Sequence, residues 1–241
     1  MLKERRDDGL VILFDVDNTL FDNDRFKSDL AERLLRDVGE QGSASYWRHY
    51  EALRLQHGYV DYLGALQGMR GDLDETPAML ELGDGLLEYP FAGHLFDGAL
   101  DALAHAATLG TTAIFSDGDV VFQPRKIRRA GIWDAVRGRV EITVHKQQSI
   151  DAMRVRFPAA RYVMVDDKPD LLAAMKTAMG ETLLTVFVRQ GHYAAEADLA
   201  ALAPGPDRTI DRIADLCGKD PDWFGSMGTQ AVSTLNCHRP R

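Results

Sequence analysis

The stretch Leu10-Val11-Ile12-Leu13-Phe14-Asp15-Val16-Asp17-Asn18-Thr19-Leu20 decides how the rest of the chain is read. Its first five residues are apolar without alternation, which predicts a short strand buried on both faces, since a strand with one wet face alternates. The run stops at a carboxylate, Asp15, skips one residue and supplies a second, Asp17. In extended backbone, residues two apart point to the same side, so both acids begin on one side of the chain at the strand's carboxyl end. In an open α/β sheet that end faces the ligand crevice. Two like charges so placed repel unless a cation or a shared proton holds them. An Asp-Asn pair also closes strands in turns of no catalytic meaning, so partners further along the chain must decide.

Working outward, further strands are expected at 111–115, 140–144, 161–165 and 183–188, each followed or preceded by a helical pattern. Helices are expected over 97–109, 126–130, 149–156 and 171–179, several ended by glycine. Strands alternating with helices imply parallel pairing and a three-layer α/β/α sandwich of Rossmann-like type. Between the first and second strands, residues 21–90 show no strand pattern. Helices at 28–38, 44–67 and 77–87 are expected there, with Gly39 and Gly42 breaking the first, Thr76 capping the last and Pro77 in its first turn. The domain reading is therefore a core of 1–20 and 91–217, an inserted all-helical cap of 21–90, and a tail of 218–241. A helix at 210–216 is the last element expected, and the tail has little periodicity.

Composition bounds the function. The chain has 241 residues, 45% hydrophobic and 27% charged, enough for a sizeable core. With 28 Lys+Arg against 37 Asp+Glu and a formal charge of -9, it lacks the basic surface that non-specific nucleic-acid binding draws on. No apolar run approaches the ~20 residues of a membrane span, and the first residues lack the apolar core of a secretion signal. The cytoplasm is the expected compartment. Cys217 and Cys237 have no metal-type spacing and are read as structural or incidental.

The expected strand ends carry Asp15 and Asp17, then Ser116-Asp117-Gly118, then Lys146, then Asp166-Asp167. Parallel strands present all these ends to one crevice. The carboxylates are hard oxygen ligands that suit Mg²⁺. Lys146 is a point charge able to screen a carboxylate from an incoming phosphate. Ser116 with the Asp117 and Gly118 amides can form a small anion nest.

In this ordered set the chain resembles the haloacid dehalogenase superfamily of phosphotransferases. The similarity is carried by Asp15-Val-Asp17-Asn-Thr19, Phe115-Ser116-Asp117-Gly118, Lys146 and Val165-Asp166-Asp167-Lys-Pro-Asp170, and covers about residues 10 to 190. The insertion after the first motif looks like that family's smaller helical cap type. The resemblance implies that Asp15 is a nucleophile forming an aspartyl-phosphate and a metal ligand. Asp17 would be general acid/base, its carbonyl touching the metal. Thr19 would orient the loop, Ser116 would hold a phosphate oxygen, and Lys146 would pair with Asp15 and the phosphate. Asp166 would bind metal with support from Asp167 or Asp170. Val165 stands where many relatives carry glycine, which leaves open whether Asp166 or Asp167 meets the ion. Lys126 is a rival for the lysine role; Lys146 is preferred because it closes a strand.

The implied activity is Mg²⁺-dependent hydrolysis of a small phosphomonoester, with a phosphomutase or a 2-haloacid dehalogenase as the alternatives on this fold. Dehalogenases of the family generally lack an acid at the position of Asp17, because a departing halide needs no proton. The expected partner is a small phosphorylated metabolite, handled by a monomer or homodimer, with neither nucleic acid nor membrane involved. His49, Arg54 and His57 sit where a cap could reach a substrate. Tyr46, Trp47, Tyr50, Tyr59 and Tyr62 are read as helix-packing core, Asp170 as a helix cap, and Arg125-Lys126 with Arg128-Arg129 as a solvated helix face.

Overall fold

The computed structural model describes residues 9–72 and 76–225, Thr76 by its backbone alone. Six strands form one sheet: β1 (Leu10–Phe14), β2 (Thr111–Asp117), β3 (Val140–Thr143), β4 (Arg161–Asp166), β5 (Leu183–Val188) and β6 (Arg208–Ile210). Their order is β3-β2-β1-β4-β5-β6, and every pairing is parallel. This is the Rossmann order, with the chain leaving β1 in one direction and returning to its other side at β4. The crevice at that reversal is where β1 delivers Asp15.

Alternation along β1 shows why its sequence is apolar throughout. Ile12 and Phe14 join one core cluster with Ile114, Val163 and Val165, while Val11 and Leu13 join a second with Ala113, Phe115 and Met164. Both faces are covered, so neither needs a polar residue. Register then fixes the site: Phe14 lies opposite Ile114 on one side and Val165 on the other. The next residue of β1's chain, Asp15, donates its amide to the Val165 carbonyl at 2.9 Å, which sets it beside Asp166.

The helices are α1 (Asn23–His57), α2 (Tyr62–Gly68), α3 (Thr76–Leu87), α4 (Ala99–Leu109), α5 (Phe122–Arg129), α6 (Ile132–Ala135), α7 (Ile150–Arg156), α8 (Pro169–Met179) and α9 (Gly191–Glu196). Between β1 and β2 the chain forms α1, α2 and α3, and no strand lies from α1 to α3 among the described residues. Its internal boundaries differ from expectation. The break expected at Gly39 and Gly42 is a kink inside one 35-residue helix, with Gly39 alone leaving helical geometry at φ 68° and ψ -174°. The helix expected over 44–67 stops at Gly58, whose φ of 77° is left-handed and whose amide caps the Arg54 carbonyl. A Cβ there would stand 2.7 Å from the His145 ring, so glycine also permits the close approach of the insertion to the loop after β3. Asp61 restarts the helix by accepting the Gly64 amide at 2.6 Å. The expected Thr76 cap lies outside the described side chains.

The C-terminal expectation needs the larger correction. In place of a helix over 210–216 the chain forms β6, a sixth strand on β5, and then a single 3-10 turn at Ile213–Leu216. Three residues are too few to show a period, and Ile210 and Ile213 meet the helical template equally well. At the start of the tail, Phe224 is buried; residues 226–241, including Cys237, lie outside the described part.

Aromatic rings join the insertion to the sheet layer. Phe26 of α1 meets Tyr62, Tyr89 and Phe122 at centroid distances of 5.1, 4.8 and 5.8 Å, and Tyr62 meets Phe122 at 5.0 Å. Tyr46, Tyr50 and Tyr62 are buried as expected of core, but Tyr50 and Tyr62 also line a crevice, together with the half-buried Tyr59.

Candidate active site

The loop that follows β1 is tied down by its own backbone. The Val16 carbonyl accepts from the amides of Thr19, Leu20 and Phe21 at 3.3, 2.9 and 2.9 Å. Asn18 takes a left-handed φ of 60°, a conformation asparagine tolerates better than most residues. Its side-chain oxygen accepts from the amides of Asn23 and Asp24 at 3.1 and 3.2 Å, so it caps the start of α1. The turn that aims Asp15 and Asp17 thus also anchors the insertion. Thr19 is fully buried, and its hydroxyl has no hydrogen-bond partner among the described residues.

Beneath the crevice, Lys146 Nζ donates to Asp15 Oδ1 at 2.5 Å and to Asp166 Oδ2 at 2.7 Å. The Ser116 hydroxyl reaches the same Asp15 oxygen at 3.3 Å. Lys146 is therefore the lysine between the two motif acids. Burial opposes its charge, but Asp15, Asp166 and Asp117 outweigh that and raise its pKa above the ordinary lysine range. Its backbone amide donates to Asp117 Oδ1 at 2.9 Å. Burial, together with Asp15 and Asp166, lifts the Asp117 carboxyl to about 6. The Gly118 amide, expected in an anion nest, instead extends the β2–β3 ladder by donating to the Thr143 carbonyl at 2.9 Å.

Asp15, Asp166 and Asp167 are all buried, with one oxygen of each within 4.8 Å of the others. Asp15 Oδ2 and both oxygens of Asp167 have no hydrogen-bond partner among the described residues. Buried carboxylates left so cost several kcal/mol unless neutralised. Asp167 shows the strain: burial first, then the neighbouring Asp166 and Asp15, push its carboxyl up to about 9. Asp166 is raised for the same reasons, with Lys146 pulling the other way. Three oxygen donors converging without enough positive charge fit a divalent cation with hard-ligand preference. Asp170 is exposed in the first turn of α8, whose cap position is Lys168, so it is not the helix cap.

Asp17 sits apart from this cluster, partly open to a crevice of about 510 Å³. Its Oδ1 pairs with Lys126, and its Oδ2 accepts from Gln123 Nε2 at 3.2 Å. Lys126 is thus not the motif lysine, nor part of a solvated face: it is fully buried. The arginines beside it are engaged too, Arg125 and Arg129 on Glu88 and Arg128 over the Trp133 ring at 3.9 Å. Of the three insertion residues expected near a substrate, only Arg54 lines the crevice. His49 turns away to Asp72 at 3.0 Å, and His57 packs on the Tyr59 ring. Lys168 and Lys27, not singled out from the sequence, line the same crevice. Lys168 follows the acid pair directly, which was the available signal; Lys27 had none.

Fold and site together define a Rossmann-type hydrolase with a cluster of buried carboxylates at the topological switch point. The chain belongs to the haloacid dehalogenase-like hydrolase family, whose model matches residues 10–179. A haloacid dehalogenase-like protein of Burkholderia xenovorans LB400 is 49% identical, with a TM-score of 0.82 over 90% of this chain and 99% of that one. YfnB of Bacillus subtilis, in a structure bound to magnesium, is 15% identical, with a TM-score of 0.59 over 87% and 97% of the two chains. L-2-haloacid dehalogenase of Xanthobacter autotrophicus is 17% identical, with a TM-score of 0.55 over 90% and 99%. At such identities the last two show the shared fold alone. No curated protein matches the chain. No described helix is long and apolar enough to cross a membrane.

Proposed function

We propose that this hydrolase cleaves small phosphomonoesters with the help of Mg²⁺, through a phosphorylated Asp15. The observation that carries the reading is the set of orphaned oxygens: Asp15 Oδ2 and both Asp167 oxygens, buried and unpartnered beside Asp166. Displacing a halide from carbon needs one carboxylate and no cation, and would leave that set unexplained. Mg²⁺ held by Asp15, Asp166 and Asp167, with the Asp17 carbonyl, would supply charge neutralisation for the phosphoryl oxygens.

The residues divide the work. Asp15 attacks phosphorus while the ester oxygen departs with its electron pair, taking a proton from Asp17. Lys146, already 2.5 Å from Asp15, offsets negative charge as a dianionic group approaches a carboxylate. Ser116, whose hydroxyl lies 3.3 Å from Asp15 Oδ1, would hold a phosphoryl oxygen. Water then attacks the phospho-aspartate, Asp17 takes its proton, and Asp15 is restored. Splitting one displacement into two is the gain from covalent catalysis, and most of the rate comes from positioning and charge. The insertion α1–α3 acts as the cap that closes this chemistry from water.

The presence of an acid at Asp17 also favours phosphate ester over haloacid, since an alkoxide leaving group needs a proton and a halide does not. Purified protein with Mg²⁺ and an aryl phosphate is expected to release phosphate, EDTA to stop it, and Asp15→Asn to fold yet remain inert. Halide release from a 2-haloacid in EDTA, with no phosphate release in Mg²⁺, would refute the proposal.

A further inference from the structure

Lys126 is a lysine buried to 0% exposure on a helix whose other basic residues face outward. Its Nζ lies 5.2 and 6.0 Å from the ring centroids of Phe21 and Phe122 and, among the described residues, reaches two side-chain oxygens, those of Asp17 and, at 3.5 Å, Asn23. An interior wall of phenylalanines is served better by leucine or methionine, because lysine is almost never fully buried unless paired. Its pairing partner, Asp17, is a crevice carboxylate that stands outside the cation cluster. Gln123, three residues earlier and hence on the same helix face, also reaches Asp17 and ties it to Ser116 Oγ at 3.0 Å.

We propose that Lys126 and Gln123 are positioning residues for Asp17, which hold its carboxylate as a fixed proton acceptor at the crevice floor and thereby serve the water step. The inference rests on the phosphomonoester reading above. Two donors meet the two oxygens, one each, which is the pattern an acceptor-only carboxylate demands. A carboxylate has further lone pairs, and the Asp17 side chain keeps 28% of its surface open to the crevice for them. In the water step the water oxygen bonds to phosphorus, its proton passes to Asp17, and the Asp15–phosphorus bond breaks with its electron pair returning to Asp15. A base free to rotate would lose much of its advantage there. The Asn23 contact places the same lysine against the first turn of α1, so the base is registered to the insertion as well as to the sheet.

The test compares wild type with Lys126→Met, using Mg²⁺ and p-nitrophenyl phosphate. Nitrophenolate leaves without a proton, so kcat/KM, which reports phosphoryl transfer to Asp15, is expected to stay within about threefold. The water step is expected to slow by on the order of 100-fold, so kcat falls and a pre-steady-state burst of one nitrophenolate per enzyme appears. Lys126→Arg, which keeps charge and donors, is expected to recover most of kcat. If Lys126→Met fails to fold, Lys126→Gln carries the same comparison. A fall of kcat and kcat/KM together without a burst, or no change in either, overturns the inference while an active wild type keeps the proposed function. A wild type inert toward the ester removes both.

Discussion

Lys146 Nζ stands 2.5 Å from Oδ1 of Asp15, two side chains separated by 131 positions and brought together because parallel strands end on one edge. The same ammonium donates to the buried Asp166 at 2.7 Å. Lys146→Met is therefore expected to lower turnover by on the order of 10²–10³-fold, the loss typical for one preorganised electrostatic contact. It is also expected to lower the urea midpoint in EDTA, because breaking a buried ion pair costs roughly 3–5 kcal/mol. Saturating Mg²⁺ should recover most of that stability without recovering turnover. A variant equally stable with and without Mg²⁺ would argue against a cation among these acids.

Asp167 makes a prediction about pH. Burial and two neighbouring acids raise its folded-state carboxyl to about 9, well above the ordinary ~3.9 of an unfolded chain. A raised folded pKa means the folded state holds the proton more tightly, so the stabilisation is complete below the unfolded value and is lost as pH rises toward the folded one. In EDTA the melting temperature is expected to fall between about pH 5 and 9. Mg²⁺ must displace that proton, so its apparent affinity should strengthen as pH rises over the same window. Asp167→Asn should flatten the EDTA profile and abolish the Mg²⁺ stabilisation, all of it readable by scanning fluorimetry. A Mg²⁺ affinity independent of pH would contradict this account.

The crevice separates residues the sequence treats alike. Arg54 and Lys27 line it, whereas His49 is held by Asp72 and His57 packs beside Tyr59. Alanine at Arg54 or Lys27 is expected to raise KM for the true substrate severalfold with a smaller effect on kcat, the mark of lost uniform binding. Alanine at His49 or His57 should leave both constants within about twofold. Steady-state kinetics on whichever phosphomonoester a metabolite screen selects decides the point.

What could be read from the chain follows how local the physics is. Each strand end announces itself, because an apolar run that halts at Asp15, Ser116 or Asp166 is visible within six or seven residues. Parallel topology then forces those ends together without knowledge of any contact. The burial of Lys126 escaped because four cations in five residues read as a solvated face, although Phe122 four positions earlier and Ile127 beside it mark the inward side of the helix. β6 escaped because three residues carry no alternation, and only the exposed edge of β5 selects them as a strand. The α1 boundary depends on whether Gly39 can be absorbed as a kink, which the packing of Leu30, Leu34, Tyr46 and Tyr50 on either side decides.

Phe26 bears on whether the insertion melts by itself. Although residues 21–90 read as a separate helical unit, Phe26 is 1% exposed within a cluster that runs without interruption from α1 through Phe122 to Ile12 and Phe14. Rings from the insertion and from α5 share its contacts, so loosening either side exposes apolar surface on both. A single unfolding transition is expected for the wild type, with tryptophan fluorescence and far-ultraviolet circular dichroism superimposing. Phe26→Ala should lower stability by roughly 3–5 kcal/mol through lost transfer energy and the remaining cavity, and should shift that one transition without splitting it. Two resolved transitions in the wild type would show the insertion to be an independent folding unit, with the aromatic cluster only a docking surface between them.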